Sequence, residues 1–437
     1  MDYQIMLHSN LSVNELGHLT IGGLDAVDLA RQFGTPAYII DEDMVRENCR
    51  VYRRAMTAHF GSDAYPLYAS KALCFTAIYR IAAEEGLGID CVSGGELYTA
   101  KAAGFPAERI CFHGNNKTDR DLADALEMGV GRIVVDNRDE LHALSAMAAA
   151  QGKVQQILLR ITPGIDPHTH RAISTGSVDS KFGTAIETGQ AKAIVAEAMA
   201  LPGIDPVGLH CHIGSQIFEI DPFVDAARIM TAFIAELKRD LGFACQVLNL
   251  GGGLAVRYTE HDPVIDYADA IGRMAAVIRG LCTENGIDMP TILLEPGRSL
   301  VAAAGTTLYT VGSFKEIPGF RRYISVDGGM PDNPRYALYN SRYTALIANR
   351  AAEEKSITAT IAGRCCESGD LIGEDMPIQP AQRGDILAVL TTGAYNYSMA
   401  SNYNRIPRPP VILISGGEAR VAVRRETYAD LVARDIG

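Results

Sequence analysis

Residues 66–93 read PLYASKALCFTAIYRIAAEEGLGIDCVS, and they set the period of most of the chain. PLYAS (66–70) and GIDCVS (88–93) are short, β-rich and apolar, and the stretch between them is long enough for one helix. The same unit recurs. AYIID (37–41), RICFHG (109–114), RIVVD (132–136) and QILLRIT (156–162) are further runs, followed by GLHCHIG (208–214), VLNLGGG (247–253) and TILLEPG (291–297). Amphipathic segments such as DRDLADALEMG and DAARIMTAFIAELKRDLG separate them. Strands alternating with helices at this spacing form parallel sheets with the helices outside. So many repeats favour a (β/α)8 barrel over an open sheet.

Nine runs are one more than such a barrel uses. The run at 66–70 leads into Lys71 and the run at 291–297 contains Glu295, both of which carry chemistry below, so 37–41 is the strand expected outside. After about residue 300 the rhythm changes. TTLYTVGSFKEI, RRYISVDGG, SITATIAGRCC, GDILAVLTTGAY and PPVILISGG are strand-like and separated by turns, the pattern of a β domain. GHLTIGGLDAVDLA near the start holds a short strand that is expected to join it. The expectation is an α/β chain: an N-terminal segment (1–41) joining the β domain, a (β/α)8 barrel (42–300) and a C-terminal β domain (301–437).

The chain has 437 residues, a formal net charge of −12 and 47% hydrophobic residues. An acidic protein of ordinary globular composition argues against nucleic acid or an anionic membrane as partner, because both need a basic face. No stretch is long and apolar enough to span a bilayer. The N-terminus lacks the basic-then-apolar pattern of a signal peptide. Nine scattered cysteines read as reduced thiols and not as a disulfide framework, so a cytoplasmic location is expected.

Strand C-terminal ends build the active site in such barrels. Lys71, His210, His212, Gly251–Gly253, Glu295 and Arg298 fall at or just after these ends. A lysine is rarely buried unless something pairs with it, so Lys71 either reaches the surface or serves as an amine. His210 and His212 share a face of their strand and could bind a metal, as could His168 and His170 in PHTH. A metal, however, explains neither Lys71 nor the glycines, and none is expected. Three glycines after a strand can cradle phosphate or merely make a turn. Pyridoxal 5'-phosphate accounts for the whole set: a lysine for its aldehyde, glycines for its phosphate, an imidazole to stack on the ring and a carboxylate beside the pyridine nitrogen.

From YASKA (68–72) to GAYNYSMASNYN (393–404) the chain resembles the diaminopimelate decarboxylase family, in the alanine-racemase-like class of pyridoxal phosphate enzymes. The motifs occur in order: CVSGGEL, HGNNKT, ITPGIDPHTH, DSKFG, GLHCHIGSQI, LNLGGGL, EPGRSLV, VDGGMPDNPRYALY and CCESGD. The resemblance implies decarboxylation of meso-2,6-diaminopimelate to L-lysine and carbon dioxide, the last step of lysine biosynthesis, by a homodimer with shared active sites. It makes Lys71 the coenzyme lysine, His212 the ring-stacking imidazole, Ser215, Gly252 and Gly253 the phosphate holders, and Glu295 the partner of the pyridine nitrogen. Tyr395 would reach the coenzyme or its phosphate and the substrate. Arg298, Arg335 and Tyr339 match binders of substrate carboxylate. Cys366 and Glu367 match residues that reach into the neighbouring subunit's site, and Cys366 is the candidate general acid. The resemblance leaves His210 without a role. Decarboxylases of other basic amino acids or of carboxynorspermidine, a racemase of the same class, and a non-catalytic regulatory homologue are the alternatives. NPRYALY favours a substrate with a distal carboxylate.

Overall fold

The computed structural model describes residues 7–165 and 181–437. The expected histidines at 168 and 170, the second half of ITPGIDPHTH (166–170) and the start of DSKFG lie outside the described residues. By their contacts the residues divide into two compact units: Asn48–Ala255 with Ile265–Gly297, and Met1–Glu47 with Val256–Val264 and Arg298–Gly437.

The first unit is a closed barrel of eight parallel strands: Tyr65–Ala69, Gly88–Cys91, Ile110–Phe112, Arg132–Val135, Gln155–Thr162, Ile204–His210, Val247–Asn249 and Thr291–Leu294. Each pairs with the next, and the eighth returns to the first through Leu293 opposite Tyr65. Local signals set the intervening helices. Ser93, Asn137 and Asp266 accept backbone N–H bonds as N-caps, Thr118 and Asp121 form a capping box, and Gly104, Gly129, Gly242 and Gly286 end helices in the left-handed conformation.

The sixth strand starts at Ile204, four residues before the expected run. Pro206 hid it, because proline is rare inside a strand unless a bulge accommodates it, and the register shifts between Pro206 and Gly208. Inside the barrel Leu67, Cys111, Val134, Leu158, Val207, Val247 and Leu293 form one apolar cluster. The second strand contributes Gly88 at this level, where a Cβ would lie 2.5 Å from Leu67 Cδ2.

In the second unit Gly305–Ile317 pairs with Arg321–Val326, with Ile386–Leu390 and with Ala37–Asp41. The run at 37–41 therefore lies outside the barrel, as the strand count required. Val411–Ser415 flanks it in parallel. The N-terminal strand does not enter this sheet. Leu11–Val13, Leu19–Ile21 and Leu24–Asp25 form a separate antiparallel sheet of three strands. Side-chain packing takes the segment into the unit instead: Leu11, Leu19 and Ile21 share a core with Leu308, Leu346 and Ile412.

Candidate active site

Side chains of a strand return to the same face every second residue. Two residues beyond the apolar cluster the barrel interior becomes polar: Asp90, His113, Asp136, Arg160, Asn249 and Glu295. His210 joins this layer, because the bulge in its strand puts it in register with Arg160 and with Asn249. One further step along the strands gives Lys71, His212 and Gly251. The C-terminal mouth is thus a polar floor with the expected lysine, imidazole and glycines around it.

Glu295 is the centre of the floor. Asn249 Nδ2 donates to its Oε1 at 2.7 Å. His113 Nε2 lies 2.7 Å from the same oxygen and 3.7 Å from Asp90 Oδ1. His210 Nε2 lies 3.3 Å from Oε2. Burial alone would raise the Glu295 pKa, but His113 and His210 outweigh it and hold the carboxyl well below its ordinary range. Burial pulls His113 down, yet Asp90 and Glu295 push it up to about 10. For His210 burial dominates and the pKa falls to about 4. His212 is held well below its ordinary value by burial and by Lys71 and Arg160. One imidazolium and two neutral imidazoles therefore surround an ionised glutamate. The donor atoms of His113, His210 and Glu295 lie within 4.8 Å of one another, a spacing that could suggest a metal. The 2.7 Å contact argues otherwise, because two ligands on a tetrahedral zinc lie roughly 3.3 Å apart.

Close packing dictates the glycines. A Cβ on Gly252 would meet the Glu295 carbonyl oxygen at 2.1 Å, and one on Gly253 would meet the Gly214 carbonyl oxygen at 2.3 Å. Gly252 N–H donates to His212 Nδ1 at 3.3 Å, which sets the ring beside the turn. Ile217 bridges to Leu254 in parallel and its N–H donates to the Gly253 carbonyl at 3.0 Å, bringing the Ser215 loop alongside. Lys71 stands exposed in a short 3-10 turn between buried Ser70 and Ala72. Glu96 clamps that turn: it accepts from Ser70 Oγ at 2.5 Å and from Val92 N–H at 2.7 Å. The Ala69 N–H donates to the Pro296 carbonyl at 3.1 Å, tying the strand end that carries Lys71 to the one that carries Glu295. Sequence reading missed Asp90, His113, Arg160 and Asn249. The signal was there: each follows an apolar interior residue by two positions.

The sheet unit holds the arginines. Arg298 is buried, its Nη1 donates to Tyr258 OH at 2.7 Å, and its guanidinium lies 4.8 Å from the Tyr395 ring centroid. Arg335 lies 5.5 Å from the same ring and 5.3 Å from that of Tyr339, and its Nη2 donates to Ser341 Oγ at 3.2 Å. Two buried guanidinium groups thus flank one tyrosine. Among the described residues Arg335 has no carboxylate partner, and its buried Nε has no hydrogen-bond acceptor. Tyr395 has a φ of 59°, a left-handed backbone that a bulky residue rarely adopts. Tyr258, which sequence reading also missed, belongs to Val256–Val264, a segment inside the barrel in chain order that groups with the sheet unit. Cys366 and Glu367 are exposed and are not brought to the arginines. Cys366 N–H donates to Asn404 Oδ1 at 2.7 Å, and Tyr403 OH donates to Glu367 Oε2 at 3.4 Å.

Residues 42–302 match the family described as pyridoxal-dependent decarboxylase, pyridoxal binding domain. The class is therefore that of the pyridoxal-dependent decarboxylases. Relatives narrow it. The chain is 48% identical over 432 residues to diaminopimelate decarboxylase of Bacillus subtilis, covering 99% of this chain and 98% of that protein. The crystal structure of diaminopimelate decarboxylase from M. jannaschii in co-complex with L-lysine is 36% identical, with a TM-score of 0.91 and 99% of each chain covered. A lysine/ornithine decarboxylase from Vibrio vulnificus, complexed with cadaverine, is more distant at 26% identity and a TM-score of 0.73, covering 89% of this chain and 97% of that one. The chain belongs to the diaminopimelate decarboxylase family.

Proposed function

We propose that this chain decarboxylates meso-2,6-diaminopimelate to L-lysine and carbon dioxide with pyridoxal 5'-phosphate as coenzyme. The observation that carries the reading is the pair of buried arginines around Tyr395, because a guanidinium fork matches a carboxylate. The barrel unit fits the coenzyme. Glu295 is ionised although buried, the Gly251–Gly253 turn admits no side chain, and an exposed lysine stands at a neighbouring strand end. When bound, the coenzyme supplies an electron sink for the pair left on carbon as the carboxylate departs.

The protein's own groups divide the remaining work. Lys71 would hold the coenzyme through its aldehyde carbon. Glu295 keeps a proton on the ring nitrogen by presenting a fixed negative charge. His212, neutral and set beside the glycine turn, would be the imidazole that stacks on the ring. Ser215, Gly252 and Gly253 bind phosphate oxygens, and Tyr395 binds the coenzyme or its phosphate as well as substrate. Arg298, Arg335 and Tyr339 take the substrate's distal carboxylate, and Glu367 takes its distal ammonium. Cys366 delivers the proton that replaces carbon dioxide. The exposure of Cys366 and Glu367 supports their serving a second copy of the chain, so the active form is a homodimer. Nine cysteines without a disulfide support a reducing compartment, the cytoplasm.

The test is incubation of the purified protein and pyridoxal 5'-phosphate with meso-diaminopimelate, with assay of lysine and carbon dioxide. Both should form one to one, and Lys71→Ala should form neither. Carbon dioxide from lysine or ornithine at comparable efficiency would overturn the substrate assignment.

A further inference from the structure

Glu295 is buried, and a buried carboxylate stays ionised only against a compensating cation. Each barrel strand offers its own groups. The first leads to Lys71, which is exposed, and the second carries Asp90, a carboxyl that burial raises. The third carries Cys111, whose thiol burial pushes up, and His113. The fourth leads to Asp136, and Arg160 on the fifth lies 4.0 Å from it. From the sixth come neutral His210 and His212 and the thiol of Cys211, pushed up to about 12 by burial. The seventh gives the neutral amide of Asn249. His113 makes an ion-pair contact with Glu295 at 2.7 Å and also faces a second carboxylate, Asp90, at 3.7 Å.

We propose that His113, supported by Asp90, is a positioning residue: the fixed imidazolium that keeps Glu295 ionised and aimed at the coenzyme's ring nitrogen. The inference rests on the coenzyme reading for its purpose, but the charge state stands on the protein alone. With both carboxylates ionised, the set carries one net negative charge, which matches one protonated ring nitrogen. Asn249 and His210 fix the direction of the carboxylate, and His113 supplies the charge. A neutral hydrogen-bond donor at 113 would leave Glu295 buried beside Asp90 without a counter-ion. Its pKa would then rise, and activity would be lost as pH falls through the new value.

Two readouts separate charge from mere packing. The first is ring-nitrogen NMR of the full-length protein labelled at its ten histidines, with and without pyridoxal 5'-phosphate. One imidazole should remain doubly protonated from pH 6 to pH 8.5 without coenzyme and vanish in His113→Gln. A spectrum in which every histidine is neutral by pH 8.5 overturns the proposal, whatever the enzyme does. The second readout is the pH profile of kcat in His113→Gln. The acid limb should move up by at least one unit, so that the loss is at least tenfold greater at pH 6 than at pH 8.5. A profile parallel to wild type would mean that His113 only fills space, and overturns the proposal. Should His113→Gln fail to fold, Asp90→Asn serves in its place: the protonated imidazole should then titrate at least one unit lower, and an unchanged midpoint refutes the support by Asp90. A wild type that keeps the imidazolium but makes no lysine would sink the functional reading and leave the charge assignment standing.

Discussion

Replacing Arg335 with alanine removes a buried guanidinium whose Nη2 donates to Ser341 and whose central carbon lies 5.5 Å from the Tyr395 centroid. If that group receives the distal carboxylate, the variant leaves a desolvated carboxylate without its cation. Truncating one partner of a buried charge pair costs about 2–5 kcal/mol. At about 1.4 kcal/mol per factor of ten, kcat/KM for meso-diaminopimelate should fall roughly 30- to 5,000-fold. Lysine has no second carboxylate, so its trace turnover should lose only the cation–π support of Tyr339 and Tyr395. That contribution is about 0.5–1 kcal/mol, or two- to fivefold. Arg335→Lys keeps charge and loses the planar fork, so it should fall between wild type and Arg335→Ala. The assay is steady-state kinetics with both substrates on wild type and both variants, with coenzyme retention and thermal unfolding as controls. Equal fold losses on the two substrates would refute the reasoning, because the arginine would then be supporting the fold or an interface.

Three further outcomes are expected. Gly252→Ala places a Cβ 2.1 Å from the Glu295 carbonyl oxygen, so two strand ends must separate. Overpacking of this kind costs about 1–3 kcal/mol, and the dissociation constant for pyridoxal 5'-phosphate should rise roughly 5- to 150-fold if that cost falls on the bound state; equal affinity by equilibrium dialysis would show that the turn takes no part in binding. Asp332 is fully buried, and burial pushes its carboxyl up to about 7 from 3.8. Its contribution to stability is complete below pH 3.8 and is lost as pH rises through 7, so from pH 5 to pH 8 wild type should lose roughly 2–3 kcal/mol relative to Asp332→Asn. Urea unfolding at the two pH values checks this, and a pH-independent difference refutes it. On the proposed shared-site dimer, mixing inactive Lys71→Ala and Cys366→Ala chains should restore part of the activity, because each hybrid would contain one site free of both lesions; no recovery despite demonstrated subunit exchange would place Cys366 in its own chain's site or outside catalysis.

Sequence alone determined the barrel, because eight apolar runs at strand–helix spacing admit few other parallel arrangements. It also marked Lys71 and Glu295, since a charge at the end of an apolar run breaks the pattern that burial imposes. It marked Arg335 only through NPRYALY, as part of a resemblance. Register decided the rest. His113 and Asp90 lie 23 positions apart in the chain, and nothing local links them. They meet because the second and third strands pair in parallel with Asp90 opposite Cys111, and His113 is the next residue on the same face as Cys111. His210 had no role in the sequence because a bulge between Pro206 and Gly208, invisible in composition, shifts it into the Glu295 layer. The Arg298–Tyr258 contact spans 40 residues and depends on Val256–Val264 leaving the barrel for the sheet unit. A side chain's own chemistry can be read from its neighbours in sequence; its charge state depends on neighbours in space, and strand register chooses those.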